Sequence, residues 1–481
     1  MVTLRRELGL KEVVATVVTS VIGGGLFLTT IQIQDKIPIG SSVIFSYMLA
    51  AIPALFIALC YAVLSSAMPS SGGEYVFISR VIDPFIGFIV TWARWFAMIA
   101  VIAAMSVGDI AILNHFFKIV HMDNVAVFVS TYIQVIAIVL VILFLLVNYR
   151  GVKLYGRIQT AMFVLLMIGL FSLIIFGLPH VTLSNLSASF NPDLSLIVQA
   201  SSLIFFSYIG FSAITDVGEE VKDAKKTLPR GILISIFTIA FIYIIVAIII
   251  YGSMSPSFYS TYDFSGGSVA NVAASFLPFA IAAFVAFAGS IAIISDINPT
   301  ILSTSRLVFA WAKDKIVPEK LAELNKHKVP KWALLINAIM AISIILLAKA
   351  FIEAVMMINM AVLLIFITIS ITALILPYKH PEIYNKAQFK IRILPIIALI
   401  GLITSSLFLI FILRLPDAMP GFLLLLTWIA VGSVIYIYTQ EKHQLHRRLQ
   451  KQHRKEKEIA DKEIIKELVG TEEDRIIKKK K

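Results

Sequence analysis

Three consecutive glycines, Gly23, Gly24 and Gly25, stand inside the first long apolar run of this 481-residue chain, in V-T-S-V-I-G-G-G-L-F from Val18 to Phe27. Each Gly costs roughly 1 kcal/mol against Ala in a helix interior and frees the backbone for conformations other residues avoid. If the run crosses a bilayer, an opened backbone survives there only where protein buries it or it lines a cavity. The stretch therefore reads either as a site built from bare N–H and C=O groups or as a small-residue patch against which another helix packs. A second interruption, Gly210, lies among hydroxyls and aromatics in S-L-I-F-F-S-Y-I-G-F-S from Ser202 to Ser212. Arg94 sits inside another apolar run. An ionised side chain at that depth costs at least ~2.5–3.5 kcal/mol, so it must face the interior and find a partner. Asp296 and Asn298, in D-I-N-P-T, are polar residues near the middle of a further run, and Pro299 beside them removes a backbone donor and kinks the helix.

The elements that must position these residues follow from composition. Hydrophobic residues make up 59% of the chain and charged residues 15%, with a mean hydropathy of +0.91. That excess of apolar surface predicts an all-α polytopic membrane protein. Apolar runs fall near 10–34, 41–67, 84–113, 125–147, 156–178, 195–218, 230–253, 274–310, 332–350, 353–376, 393–413 and 419–440. Each approaches the ~20 residues that a ~30 Å hydrocarbon core requires, giving twelve spans. The net charge of +12 does not point to nucleic acid, because its placement is one-sided. Only Lys36, Lys118, Lys349 and Arg414 lie in or at the edge of odd-numbered connections; apart from Arg94, the remaining Lys and Arg lie in even connections, in the tails, or at the run ends beside them, as Lys11, Arg157, Arg230 and Arg306 do. The positive-inside rule then puts both termini in the cytoplasm. The first run is too long for a cleavable signal peptide. Pro229 reads as the first-turn proline of span 7, and the link from Met68 to Arg80 as either a short helix across the cytoplasmic mouth or a loop. Beyond Gln440 the chain (441–481) is a basic tail, either a frayed amphipathic helix touching anionic lipid or solubilising disorder.

The interruptions in spans 1 and 6 are five crossings apart, so the two segments run in opposite directions. Broken segments at corresponding places in inverted halves point to a transporter's binding site near the membrane midplane. Opened N–H groups at a half-helix N-terminus attract a carboxylate, and freed carbonyls attract an ammonium. A free amino acid carries both.

At these same residues the chain resembles the amino acid permeases of the amino acid–polyamine–organocation superfamily. V-I-G-G-G-L-F, P-S-S-G-G-E-Y, F-S-Y-I-G-F, E-E-V-K-D-A-K-K-T-L-P-R-G-I, N-P-T-I-L-S-T-S-R and A-K-D-K-I-V-P match that family's motifs in order, from residue 10 to about 332. The resemblance implies a LeuT-like 5+5 inverted repeat (about 10–178 and 195–376) with broken helices 1 and 6, plus two extra helices over 393–440. It also implies that the amides of Gly24 and Gly25, beside Gly23, receive the substrate carboxylate. Carbonyls of Val21, Phe206 and Ile209, next to Gly210, would take the amino group, with Phe206 as an aromatic gate and Tyr208 nearby. On spacing alone, Phe206 reads as a packed core aromatic.

Three departures from the family pattern bear on selectivity and coupling. Ser212 stands where relatives often carry an acid. Leu165, Leu166 and Met167 occupy the neighbourhood of a coupling lysine in span 5. Arg94 and Asp296 are additional charges on spans 3 and 8, which the resemblance sets side by side. Those two are expected to approach each other, either as a static pair or with Asp296 as the protonatable coupling group. Sodium is the alternative ion, with Ser303, Thr304 and Ser305 offering hydroxyls. The expected protein is a secondary carrier importing free amino acids across the cell membrane, coupled to protons, with no cofactor, metal or nucleic-acid partner. An amino acid/polyamine exchanger, a sodium-coupled carrier and a sensor signalling through the tail are the alternatives. No H-E-x-x-H, G-x-S-x-G or P-loop pattern points to hydrolysis or ATP use.

Overall fold

The computed structural model describes residues 4–347, 351–414 and 418–442. Lys349 and the tail from residue 443 onward lie outside the described residues. The first apolar run is three helical pieces, α1 (Leu10–Val21), α2 (Gly24–Phe27) and α3 (Thr29–Lys36). They are followed by α4 (Val43–Ala67), α5 (Gly73–Val81), α6 (Pro84–Ile119), α7 (Asp123–Thr131), α8 (Ile133–Tyr149) and α9 (Val152–Gly177). Short α10 (Leu183–Ala188) leads to α11 (Leu194–Ile204), which gives way to 3-10 turns over Phe205–Tyr208 and Phe211–Asp216. Then come α12 (Ala224–Ser253), the connectors α13 (Pro256–Thr261) and α14 (Val269–Ala273), and α15 (Phe279–Lys313). The chain closes with α16 (Lys331–Leu346), α17 (Phe351–Lys379), α18 (Pro381–Tyr384), α19 (Leu394–Leu413) and a helix over Ala418–Lys442. No strand forms among the described residues, only isolated bridges such as Leu8 with Val221.

Nine helices among the described residues are long and apolar enough to cross a membrane, and the pair α7–α8, bent by 80°, makes a tenth. The chain is an integral membrane protein. Large aliphatic and aromatic residues such as Phe241 (65% exposed) and Ile175 (64% exposed) face outward, an arrangement that hydrocarbon tolerates and water would not. The link after α4 is helical: α5 starts at Gly73 and runs to Val81. Indoles and phenyl rings weld α6 to α15 and the last helix, with Trp92 stacked on Trp428 at 4.9 Å and Trp311 edge-on to Phe88.

Two of the prolines inside helices, Pro229 and Pro299, are accommodated by side chains of neighbouring helices. Pro229 is not a first-turn residue as its sequence context suggested; α12 begins earlier, at Ala224, and Pro229 lies within it. A proline there frees the carbonyl four residues back, and that carbonyl, of Lys225, accepts from Ser66 Oγ at 2.7 Å. Pro299 likewise lies inside an α15 that runs unbroken from Phe279 to Lys313. It frees the carbonyl of Ser295, which accepts from Gln159 Nε2 of α9 at 2.9 Å.

Candidate substrate cavity

The two interrupted segments touch each other. Helical bonding ends at Ile22, whose N–H reaches Val18 and whose ψ of 96° is extended, and resumes at Gly24. In the other segment Ile209 is extended and Gly210 has φ +121°, a conformation that favours glycine. A Cβ on Gly210 would lie 2.0 Å from the Ser20 carbonyl oxygen, and one on Gly25 would lie 2.5 Å from Ser207 Cβ. Gly25 and Gly210 are therefore glycines because the two backbones meet there. Gly23 and Gly24 have room for a methyl group, with nearest atoms at 3.8 Å.

Between the breaks lies a cavity of about 50 Å³. Of the residues expected to bind substrate, Val21, Gly23, Gly24, Gly25, Phe206, Ile209 and Gly210 line it. Tyr208 does not: it is buried, and its hydroxyl donates to the Tyr47 carbonyl at 3.1 Å. The amides of Gly24 and Gly25 open α2 and donate to no acceptor among the described residues. The Val21 carbonyl already accepts from Tyr243 Oη at 2.8 Å, and the same hydroxyl lies 2.7 Å from the Ser207 carbonyl. Tyr243 of α12 thus ties both breaks with one proton. No sequence signal marked it, because an aromatic in an apolar run looks like core.

Arg94, Asp296 and Ser303 also line the cavity. The expected pairing of Arg94 with Asp296 does not form. Arg94 Nε lies 2.7 Å from Glu74 Oε2, and Nη1 lies 3.1 Å from Asp216 Oδ2. Ser303 Oγ donates to the same Asp216 oxygen at 2.6 Å, and Tyr61 Oη to Glu74 Oε1 at 2.5 Å. Glu74 belongs to α5, outside the spanning helices. Burial pushes its carboxyl up to about 7, with Arg94 pulling the other way and Asp216 reinforcing the rise. Asp296 meets only the Thr300 hydroxyl, at 3.3 Å, and no cation within 4.0 Å among the described residues. One guanidinium thus serves two carboxylates while a third faces the cavity alone. Glu74 stands in the quoted P-S-S-G-G-E-Y segment, but nothing in the sequence told that it and Asp216 would claim Arg94 first.

A second polar cluster binds the cavity wall. Gln159 of α9 donates to Thr19 Oγ1 of α1 as well as to the Ser295 carbonyl, Asn298 Nδ2 donates to Gln159 Oε1 at 2.7 Å, and Asn148 Nδ2 to Asn298 Oδ1 at 2.8 Å. The polar residue by which span 5 reaches spans 1 and 8 is thus a neutral amide, one turn and more before the Leu165–Met167 stretch. An uncharged polar residue inside an apolar run was the available signal.

In an all-helical membrane protein, two interrupted segments thus meet at an enclosed space, and the first of them leaves two main-chain donors unpaired beside it. The chain belongs to the amino acid permease family, whose model matches residues 8–437. It is 26% identical to the methylthioribose transporter of Bacillus subtilis (strain 168) over 92% of this chain and 95% of that protein. It is equally identical to the branched-chain amino acid permease BcaP of the same organism, over 92% and 94% of the two chains. A further 26% match covers 91% of this chain and 82% of the glutamate/serine transporter AimA, also of Bacillus subtilis.

Proposed function

We propose that this protein is a secondary transporter that imports free amino acids with apolar side chains across the cell membrane, by alternating access and with proton coupling. The observation that carries the reading is the contact between the two breaks, with the Gly24 and Gly25 amides free beside the Phe206-lined cavity. A carboxylate suits those amides and an ammonium the carbonyls of Phe206 and Ile209. Met98, Val101, Met105 and Val362 form the rest of the wall, an adaptable apolar surface for a side chain. In this reading broken span 1, the bent pair and the short apolar α16 complete twelve crossings, arranged as inverted repeats over 10–178 and 195–376 with cytoplasmic termini.

Asp296 is the coupling group in this reading, because it faces the cavity without a cation, whereas Arg94 holds Glu74 and Asp216 on the neighbouring wall. Of the hydroxyl oxygens offered for sodium, those of Thr304 and Ser305 already accept from Asn337 Nδ2 at 2.9 Å and Arg306 Nη1 at 3.0 Å, and Ser303 donates to Asp216. The test is uptake by purified protein in proteoliposomes of labelled leucine, methionine, lysine and methylthioribose, under an inward proton or sodium gradient. Apolar amino acids should accumulate when the outside is acidic, and Asp296→Asn should abolish gradient-driven accumulation while leaving counterflow. Undiminished proton dependence in that variant removes Asp296 from the mechanism. Accumulation that needs sodium, or internal amino acid alone, moves the reading to the sodium-coupled carrier or exchanger. Methylthioribose uptake without amino acid uptake rejects the carboxylate site altogether.

A further inference from the structure

Away from the cavity, a groove of about 560 Å³ opens where the start of α1 meets the start of α9. Four cations line it, Lys11, Lys153, Arg157 and Lys222, together with Glu7 and Glu12. Glu12 is already engaged: its Oε2 accepts from the Gly9 N–H at 2.8 Å, and its Oε1 lies 3.8 Å from Lys11 Nζ. No ion pair among the described residues involves Lys153, Arg157 or Lys222. The wall opposite is held in place by main-chain bonds, Lys222 N–H to the Leu8 carbonyl at 2.8 Å and Glu7 N–H to the Glu220 carbonyl at 2.9 Å.

What distinguishes this groove from an ordinary solvated basic surface is the face of α9 above it. Val164, Ile168, Phe171 and Ile175 are 47, 48, 54 and 64% exposed, and their three- and four-residue spacing puts them on one face. Continued toward the helix start, that face passes Ala161 to Arg157 and Lys153, which are exposed as well. At 1.5 Å per residue, Arg157 lies about 27 Å from Ile175, at the rim of a ~30 Å hydrocarbon core. An apolar stripe that ends in unpaired cations at headgroup depth is complementary to an amphiphile with an anionic head.

We propose that this groove seats the phosphate headgroup of an anionic phospholipid, its acyl chains lying along the exposed face of α9. The headgroup then bridges the start of α1, the start of α9 and the segment after span 6, bracing helix 1 at the end from which it enters the membrane. The site is independent of the amino acid reading, since neither its residues nor its ligand touches the cavity.

The test uses the full chain in detergent, stripped of lipid. Native mass spectrometry counts bound phosphatidylglycerol, and thermal unfolding is followed with phosphatidylglycerol, phosphatidylcholine or inorganic phosphate added. Phosphatidylglycerol should bind and raise Tm, and the other two should not. A cation near a membrane surface contributes roughly fivefold to anionic-lipid affinity, so the double variant Lys153→Gln/Arg157→Gln should bind phosphatidylglycerol about 25-fold more weakly. Arg157→Lys should retain most of the binding, which separates lost charge from lost fold, and Lys326→Gln, an exposed cation outside the groove, should retain all of it. Equal response to phosphatidylcholine, or undiminished phosphatidylglycerol binding in the double variant, overturns the proposal. A shift reproduced by inorganic phosphate also overturns it and makes the groove a soluble-anion site.

Discussion

Tyr243 donates one proton to either of two main-chain carbonyls, those of Val21 and Ser207, one on each interrupted segment. A neutral hydrogen bond contributes about 0.5–1.5 kcal/mol net, and a buried acceptor left unpaired costs about 1–3 kcal/mol. Tyr243→Phe keeps the ring against Tyr47 and Tyr208 and removes only the hydroxyl. The expected outcome is a loss of about 1–3 kcal/mol in stability, read as a lower Tm, together with weakened substrate binding. A variant with wild-type Tm and affinity would show that the breaks hold each other without this clamp. Gln159 works on the same scale: it replaces the donor that Pro299 removes, so a proline that would weaken α15 alone becomes the point where α9 is fastened to it.

At the scale of elements, the interruptions depend on two close approaches. Gly210→Ala would place a methyl 2.0 Å from the Ser20 carbonyl at a φ of +121°, and Gly25→Ala one 2.5 Å from Ser207 Cβ. Both should abolish uptake while the protein still inserts, because the surrounding helices are untouched. Gly24→Ala, with its nearest atom at 3.8 Å, should be milder. Uptake and membrane expression measured together check this, and a Gly24 variant as inactive as the Gly25 variant would contradict the packing account. The sequence made the three glycines look alike; only the position of Ser207 separates them.

Across the whole molecule, the balance of buried charge sets the response to pH. Glu74 and Asp216 share the Arg94 guanidinium and Asp296 has no cation within 4.0 Å among the described residues, whereas Glu220 has Arg306 to itself at 2.7 Å. A carboxyl raised by burial, as Glu74 is from 4.5 to about 7, stabilises the fold fully below about 4.5 and loses that contribution as pH rises through about 7. Glu74→Gln should therefore flatten part of the decline in Tm over that window. A wild-type slope in the variant would show that Glu74 stays ionised throughout. Removing Arg94 instead leaves two buried carboxylates unpaired, so Arg94→Gln should destabilise by about 3–5 kcal/mol, seen as loss of folded protein on extraction.

Much of this architecture was legible beforehand because a bilayer permits few solutions. Hydropathy identified the helices, and the requirement that every backbone group in lipid be satisfied turned Gly23–Gly25 and Gly210 into marked positions. The resemblance in motifs agrees with the family whose model matches residues 8–437. What stayed illegible is which side chain meets which. Arg94 holds Glu74 and Asp216 rather than Asp296, Pro229 lies deeper than a first turn, and Tyr243 and Gln159 carry no mark in their apolar surroundings that tells which backbone they fasten. Local composition decides whether a segment is a helix, because its bonds close within a few residues. Partners more than a hundred positions apart, such as Arg94 and Asp216, are chosen by how rotated helices pack, and that rotation is fixed only when all of them are present.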